Sequence, residues 1–163
     1  MNPQDAASQS VSELKLSHLL TRQTIQLRAS VRDWEEAASL AGGLLVQAGC
    51  VEPAYIAAMK AVLREMGPYA VIAPGIVLLH ARPAGGVRQP CLSLVTLATP
   101  VEFGHSQNDP VDVVFALGVV DKRAHIKALQ QLATLLGDEA ALAKLRSAAT
   151  VETVLAVIHE WEA

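Results

Sequence analysis

Aromatic residues are scarce in this chain, with two tryptophans, two tyrosines and two phenylalanines among 163 residues. Any core must therefore come from Ala, Val, Leu and Ile, as in helix-covered α/β sheets. Cysteine is scarcer still. Cys50 and Cys91 stand in no CxxC or metal-ligand spacing, which excludes a disulfide scaffold and reads as two buried thiols. Positive charge is not in surplus, since 13 Lys and Arg face 16 Asp and Glu for a net charge of −3. Without a basic stripe to neutralise phosphates, nucleic acid is excluded as a partner. Apolar runs long enough to span a bilayer are missing, and the opening "MNPQDAASQSVSE" lacks the apolar stretch of a signal peptide. A cytoplasmic protein is expected. Neither GxGxxG nor a GxxxxGK phosphate loop is present, which argues against a nucleotide-driven kinase.

What is present is a long, aliphatic, weakly charged chain: 52% of residues are hydrophobic and 18% charged, enough for one core without metal or disulfide staples. Residues 1–10 are expected to be a polar tail and residues 11–163 a single domain. A short helix over "VSELKLSHLLTR" and a strand over "TIQLRA" come first. The stretch "SVRDWEEAASLAGGLLVQAGC" predicts a helix with Ser30 and Asp33 as caps and an apolar stripe through Ala37, Ala41, Leu44, Leu45 and Ala48. Gly42 and Gly43 inside it call for close packing or a kink. "EPAYIAAMKAVLREMGP" predicts a second helix, opened by Pro53 and closed by Gly67 and Pro68. Strands are expected at "GIVLL", "CLSLVTL" and "VDVVFALGVV", the last buried on both faces. Three helices, in "DKRAHIKALQQLATLLG", "DEAALAKLRSA" and "TVETVLAVIHEWE", complete the order α-β-α-α-β-β-β-α-α-α. Strict βα alternation is missing, so a mixed sheet with helices on both faces is expected.

Of the five histidines, His18 and His159 lie on terminal helices and read as surface residues. His80 ends the apolar run "GIVLLH" and opens the loop "ARPAGG", where binding loops of α/β sheets gather. Arg82, two residues on, offers a planar fork suited to phosphate or carboxylate oxygens. His125 falls in the first turn after Asp121, a good N-cap, in line with Leu129, Leu132 and Leu136. A helix N-terminus is a ready anion site, and its field disfavours protonation of a nearby imidazole. A hydrogen-bonded core histidine fits the same position. His105 sits in the polar loop "VEFGHSQNDPVD", whose Gln107, Asn108 and Asp109 either orient it or make turns. The three histidines and Asp109 include zinc-ligand types but no HxH or HExxH spacing, so neither a metal nor a cofactor is expected. An imidazole can itself be the nucleophile and carry a phosphoryl group covalently.

Taken together, "GPYAVIAPGIVLLHARP", "PVEFGHSQNDPVDVV" and "DKRAHIKALQQLATLL" resemble three successive blocks of the enzyme IIA components of the bacterial phosphoenolpyruvate:sugar phosphotransferase system. The resemblance is to the mannitol/fructose type, most closely its ascorbate-specific branch, and runs over residues 14–160. It implies a phosphoryl carrier with a mixed sheet flanked by helices, His80 as the phosphorylated histidine and His125 as the second active-site histidine. It further implies phosphorylated HPr as donor, a cysteine of enzyme IIB as acceptor, and indirect service to the membrane enzyme IIC. Arg82 is the expected phosphate-facing cation, with His105 and Arg64 as further candidates. The chain departs from the resemblance at Leu79, where the family usually has proline; leucine restores a backbone donor and frees φ. An apolar ring around the His80 loop, with Ile76, Val77 and Leu79 as contributors, is expected to shield the transferring group. A homodimer is permitted. A regulatory paralogue acting on a partner protein and a small zinc-binding protein are the competing readings.

Overall fold

In the computed structural model of the chain, residues 15–82 and 86–162 are described. The polar tail expected over residues 1–10 lies outside them. Helix α1 (Leu16–Leu19) and a 3-10 turn (Arg22–Thr24) lead into β1 (Ile25–Ala29), then α2 (Trp34–Gln47) and α3 (Ala54–Met66). A second 3-10 turn (Pro68–Ala70) precedes β2 (Val71–Ala73), β3 (Ile76–Leu79), β4 (Cys91–Val101) and β5 (Val111–Gly118), and α4 (Lys122–Leu136), α5 (Glu139–Ser147) and α6 (Val151–Glu162) follow. The strands form one sheet in the order β1-β4-β5-β3-β2. β1 and β4 are parallel, as are β3 and β5; β4 with β5 and β2 with β3 are antiparallel. The sheet is mixed, as the missing βα alternation predicted.

Local chemistry sets the helix ends. Asp33 caps α2 by accepting from the Glu36 N–H at 2.9 Å, and Glu35 and Glu36 place negative charge in the first turn, where the helix dipole favours it. Ser30 lies outside the helix. Asp121 and Asp138 cap α4 and α5 in the same way, on Ala124 N–H (2.7 Å) and Ala141 N–H (3.1 Å). α3 closes on Gly67, whose φ of 82° suits a residue without a Cβ. The first helix is shorter than its apolar pattern suggested: Thr21 and Thr24 cap each other reciprocally and start a new 3-10 turn after Leu20. β2 is an addition. Its three residues carry too little alternation to announce a strand, yet the tight turn at Pro74–Gly75 folds them back on β3.

Along β5 the side chains alternate between two cores. Val113, Phe115 and Leu117 meet α1, α4, α5 and α6, while Val114 and Ala116 meet α2 and α3 on the other face. Both faces of the central strands are thus buried under helices, which is why "VDVVFALG" is almost continuously apolar. Cys50 and Cys91 are buried free thiols, as expected. Burial pushes the Cys91 thiol up, keeping it protonated.

The glycine pair in α2 separates into two cases. A Cβ on Gly42 would lie 2.8 Å from Ile56 Cγ1 and 2.9 Å from Met59 Cε, so Gly42 lets α2 and α3 approach closely. Gly43 has open space. Alanine favours a helix interior by about 1 kcal/mol over glycine, whereas overpacking costs about 1–3 kcal/mol. Gly43→Ala is therefore expected to stabilise the protein by up to about 1 kcal/mol. Gly42→Ala is expected to destabilise it by up to about 2 kcal/mol net. Urea unfolding of the two variants checks this; equal stabilisation by both would show that α2 and α3 are not tightly packed at Gly42.

Candidate functional site

Parallel pairing sets where the two central histidines go. Leu79 of β3 lies opposite Ala116 of β5, so both strands reach the same edge of the sheet within a residue or two of each other. His80 follows β3 directly, and α4 begins four residues after β5. The imidazoles of His80 and His125 consequently face each other, with ring centroids 5.4 Å apart and planes inclined by 48°. They share an open pocket of about 340 Å³ with Val62 and Met66 of α3, Arg82, and Lys122 at the start of α4.

The His80 ring is held in one orientation. Its Nδ1 lies 3.0 Å from the carbonyl oxygen of Leu78. A carbonyl only accepts, so Nδ1 carries the proton and the lone pair is left on Nε2. His125 is tuned differently. Burial, and secondly the neighbouring His80, hold its pKa below the ordinary value of 6.5, so at neutral pH it is an uncharged ring with one N–H to donate. Arg82 and Lys122 supply positive charge at the pocket, and the N-terminus of α4 adds its partial charge. Asp121 also lines the pocket, with one carboxylate oxygen engaged by the Ala124 N–H. An electropositive recess that holds one imidazole by its Nδ1 on a carbonyl and sets a second, neutral imidazole beside it suits the transfer of a phosphoryl group.

Two expected phosphate ligands are elsewhere. Arg64 lies about 160° around α3 from Val62 and Met66, at about 100° per residue. It points to α2, pairing with Glu35 and lying 5.6 Å over the Trp34 ring. His105 belongs to the loop between β4 and β5, which enters β5 at the opposite edge of the sheet from His80. There its Nδ1 accepts from the N–H groups of Gln107 (3.1 Å) and Asn108 (3.0 Å), so it is a turn-forming residue. Asp109 completes that turn, accepting from Gly104 N–H at 2.7 Å. Among the described residues there is no group of three or more His, Cys, Asp or Glu able to hold a metal ion. His18 and His159 are exposed, as read.

The expected apolar ring is also made of different residues. Ile76, Val77 and Leu79 are 0–1% exposed, because β3 is an interior strand covered on both faces. The exposed apolar side chains near the pocket are instead Met66, at 62%, and Val120 and Ile126 beside its lining residues. Met66 is the last residue of α3 and lines the pocket mouth. Lys122 and Tyr55 were not singled out by the sequence. Lys122 had a signal, as the first residue after an aspartate cap, but Tyr55 had none beyond its place near the start of an apolar helix.

Comparison with known proteins places the chain by family and fold. Residues 18–161 match the family described as the phosphoenolpyruvate-dependent sugar phosphotransferase system, EIIA 2. The chain is 40% identical over 146 residues to the ascorbate-specific PTS system EIIA component of Salmonella typhi, covering 89% of this chain and 95% of that protein. Among solved structures it is similar to the mannitol-specific cryptic phosphotransferase enzyme IIA CmtB from Escherichia coli, with a TM-score of 0.80 at 30% identity over 90% of this chain and 99% of that one. It is also similar to a putative PTS IIA (PtxA) from Streptococcus mutans, with a TM-score of 0.78 at 32% identity over 94% and 92% of the two chains.

The two causes of the His125 shift are separable. By NMR titration, the His125 midpoint is expected below 6.5 in the wild type. In His80→Ala it should rise and still remain below 6.5, because burial is the larger cause. The sign for stability follows: the unfolded state binds the His125 proton more readily, so this residue's contribution is present above pH 6.5 and is lost as pH falls toward the depressed value. A midpoint at or above 6.5 in the wild type would contradict the buried, neutral assignment.

Proposed function

The chain belongs to the EIIA 2 family of the phosphoenolpyruvate-dependent sugar phosphotransferase system, and we propose that His80 is the residue on which it carries phosphate. As a member it is a phosphotransferase that works through a phosphohistidine. The observation that carries the residue assignment is the Nδ1 contact with the Leu78 carbonyl, which leaves Nε2 as the free nucleophilic atom.

The step balances without a separate base. The Nε2 lone pair attacks the phosphorus of phosphorylated HPr, the N–P bond of the donor breaks, and its electron pair returns to the donor imidazole. The Nδ1 proton stays on the ring against Leu78 O, where it also supports the positive charge that the ring acquires. The His125 N–H donates to the equatorial oxygens, with Arg82 and Lys122 as the cations nearest to them. In the second half, a cysteine thiolate of enzyme IIB attacks the same phosphorus. The N–P bond on His80 breaks and its lone pair is restored. Both halves are in-line exchanges that depend on positioning and charge stabilisation.

The likeness to ascorbate-specific components supports delivery to an enzyme IIB–IIC pair that takes up ascorbate or a related sugar. No helix among the described residues is long and apolar enough to cross a membrane, which fits a carrier that meets its partners in the cytoplasm. Met66, Val120 and Ile126 are the apolar contacts that would exclude water when a partner docks.

His80→Ala should take up no phosphate from phosphoenolpyruvate, enzyme I and HPr, as read by intact mass. His125→Ala should still accept phosphate, roughly 10²–10³-fold more slowly, the usual loss for one preorganised donor. Phosphate retained by His80→Ala would overturn the assignment and move it to His125.

A further inference from the structure

We propose that Tyr55 is the positioning residue for His80: its phenol takes the place of the next rung of the β3–β5 ladder and thereby holds the imidazole with Nδ1 on the Leu78 carbonyl and Nε2 toward the pocket. The inference rests on His80 being the phosphoryl acceptor and adds what sets its geometry.

The register supplies the argument. With Leu79 opposite Ala116, an unbroken parallel ladder would next join the Ala81 N–H to the Leu117 carbonyl. Both groups bond to the Tyr55 hydroxyl instead. The Ala81 N–H donates to it at 3.0 Å, and it donates to Leu117 O at 2.7 Å. The Ala81 carbonyl lies farther away, at 3.3 Å. One hydroxyl thus stands between two strands that would otherwise close on each other. It turns the chain out of the sheet at His80, where the ring reaches back two residues to Leu78 O. Tyr55 is fully buried. Burial pushes its pKa up to about 12, so the donor persists at working pH.

The far limb of the same loop is tied to the same corner of the fold. Glu52 N–H donates to Gly86 O at 2.7 Å and Arg88 N–H to Cys50 O at 2.8 Å. Gly86, at φ 117°, would place a Cβ 2.9 Å from Glu52 Cβ, so the approach is close. Residues 50–55 therefore hold both Ala81, next to His80, and the returning residues Gly86 and Arg88.

Tyr55→Phe keeps the ring and removes the hydroxyl. With phosphorylated HPr as substrate, kcat is expected to fall about 10- to 100-fold, the scale of a small misplacement of a reacting atom. KM should be unchanged, since Tyr55 has no exposed surface for a partner to touch. Histidine ¹⁵N NMR is the readout that simple destabilisation does not move: wild type should show one His80 tautomer, protonated on Nδ1, and Tyr55→Phe a mixture. Ser93→Ala is the control, because it deletes another buried hydroxyl, bonded to Ala41 O at 2.8 Å, away from the site. It should lower Tm with tautomer and kcat intact. Should Tyr55→Phe behave like Ser93→Ala, Tyr55 is only a packing residue and the proposal falls. If Tyr55→Phe does not fold, the wild type decides: His80 Nδ1–H and Ala81 N–H should exchange with solvent together, and independent exchange overturns the coupling. A wild type that takes no phosphate on His80 would sink the acceptor reading alone, because the tautomer comparison still judges Tyr55.

Discussion

Because β3 and β5 run parallel and side by side, the chain leaves both strands at one edge of the sheet, and everything in the site depends on that. The next strand in sequence after β3 is β4, which lies on the far side of β5. The connection must therefore pass over the end of β5, across two strand spacings of about 10 Å in all, before β4 starts at Cys91, opposite Gly118. His80 and Arg82, which begin the connection, lie beside the end of β5, where Asp121 starts α4. Gly118 is itself closely approached from β4 and from the segment before α3, since a Cβ there would lie 3.0 Å from Cys91 Sγ and 3.1 Å from Val51 Cγ1. One helix N-terminus and one strand-end imidazole are thereby brought together by topology, with no contact between them needed to hold them there.

The electrostatic design follows from having two imidazoles in one recess. Burial penalises charge, and two cationic rings at this separation would repel as well, so the resting site keeps His125 neutral. Neutrality is what both rings need: a lone pair on His80 Nε2 and an N–H on His125. A phosphoryl group on His80 would reverse the second cause of the His125 shift, because a nearby anion favours the protonated ring where a nearby imidazole did not.

Much of this was legible in the residues. A histidine closing an apolar strand and a histidine one turn after an aspartate cap are local signals, and both local structures formed where those signals stood. Arg64 and His105 were misplaced because their positions depend on non-local facts. Arg64 is on the wrong face of α3 for the pocket, and only the docking of α2 on α3 reveals which face that is. His105 sits beside an apolar strand just as His80 does, but the antiparallel pairing of β4 with β5 sends its loop to the other edge. Ile76, Val77 and Leu79 looked available as a docking rim, and β2, with three residues, is the strand that makes β3 interior. Tyr55 was invisible because a tyrosine in an apolar helix is ordinarily a core residue; the partners of its hydroxyl come from strand ends 26 and 62 positions away.

Leu79 stands where the resemblance implied proline, and the hydrogen bonds around it supply a physical reason why the site tolerates the change. Proline would fix φ near −65° and remove a backbone donor just before the nucleophile, stiffening the chain covalently. Leucine leaves φ free and keeps the donor, so the direction in which His80 departs must come from elsewhere. Two bonds flank the histidine: the Leu78 carbonyl accepts from its ring, and the Tyr55 hydroxyl accepts from the N–H of the residue after it. Burial supports both, for Leu78, Leu79 and Tyr55 are each no more than 1% exposed and water has little access to compete. A ring torsion that a proline would constrain from the preceding residue is constrained here from the following one. The rigidity that phosphoryl transfer requires is preserved, and its source has moved from the covalent backbone to a buried phenol on a neighbouring helix.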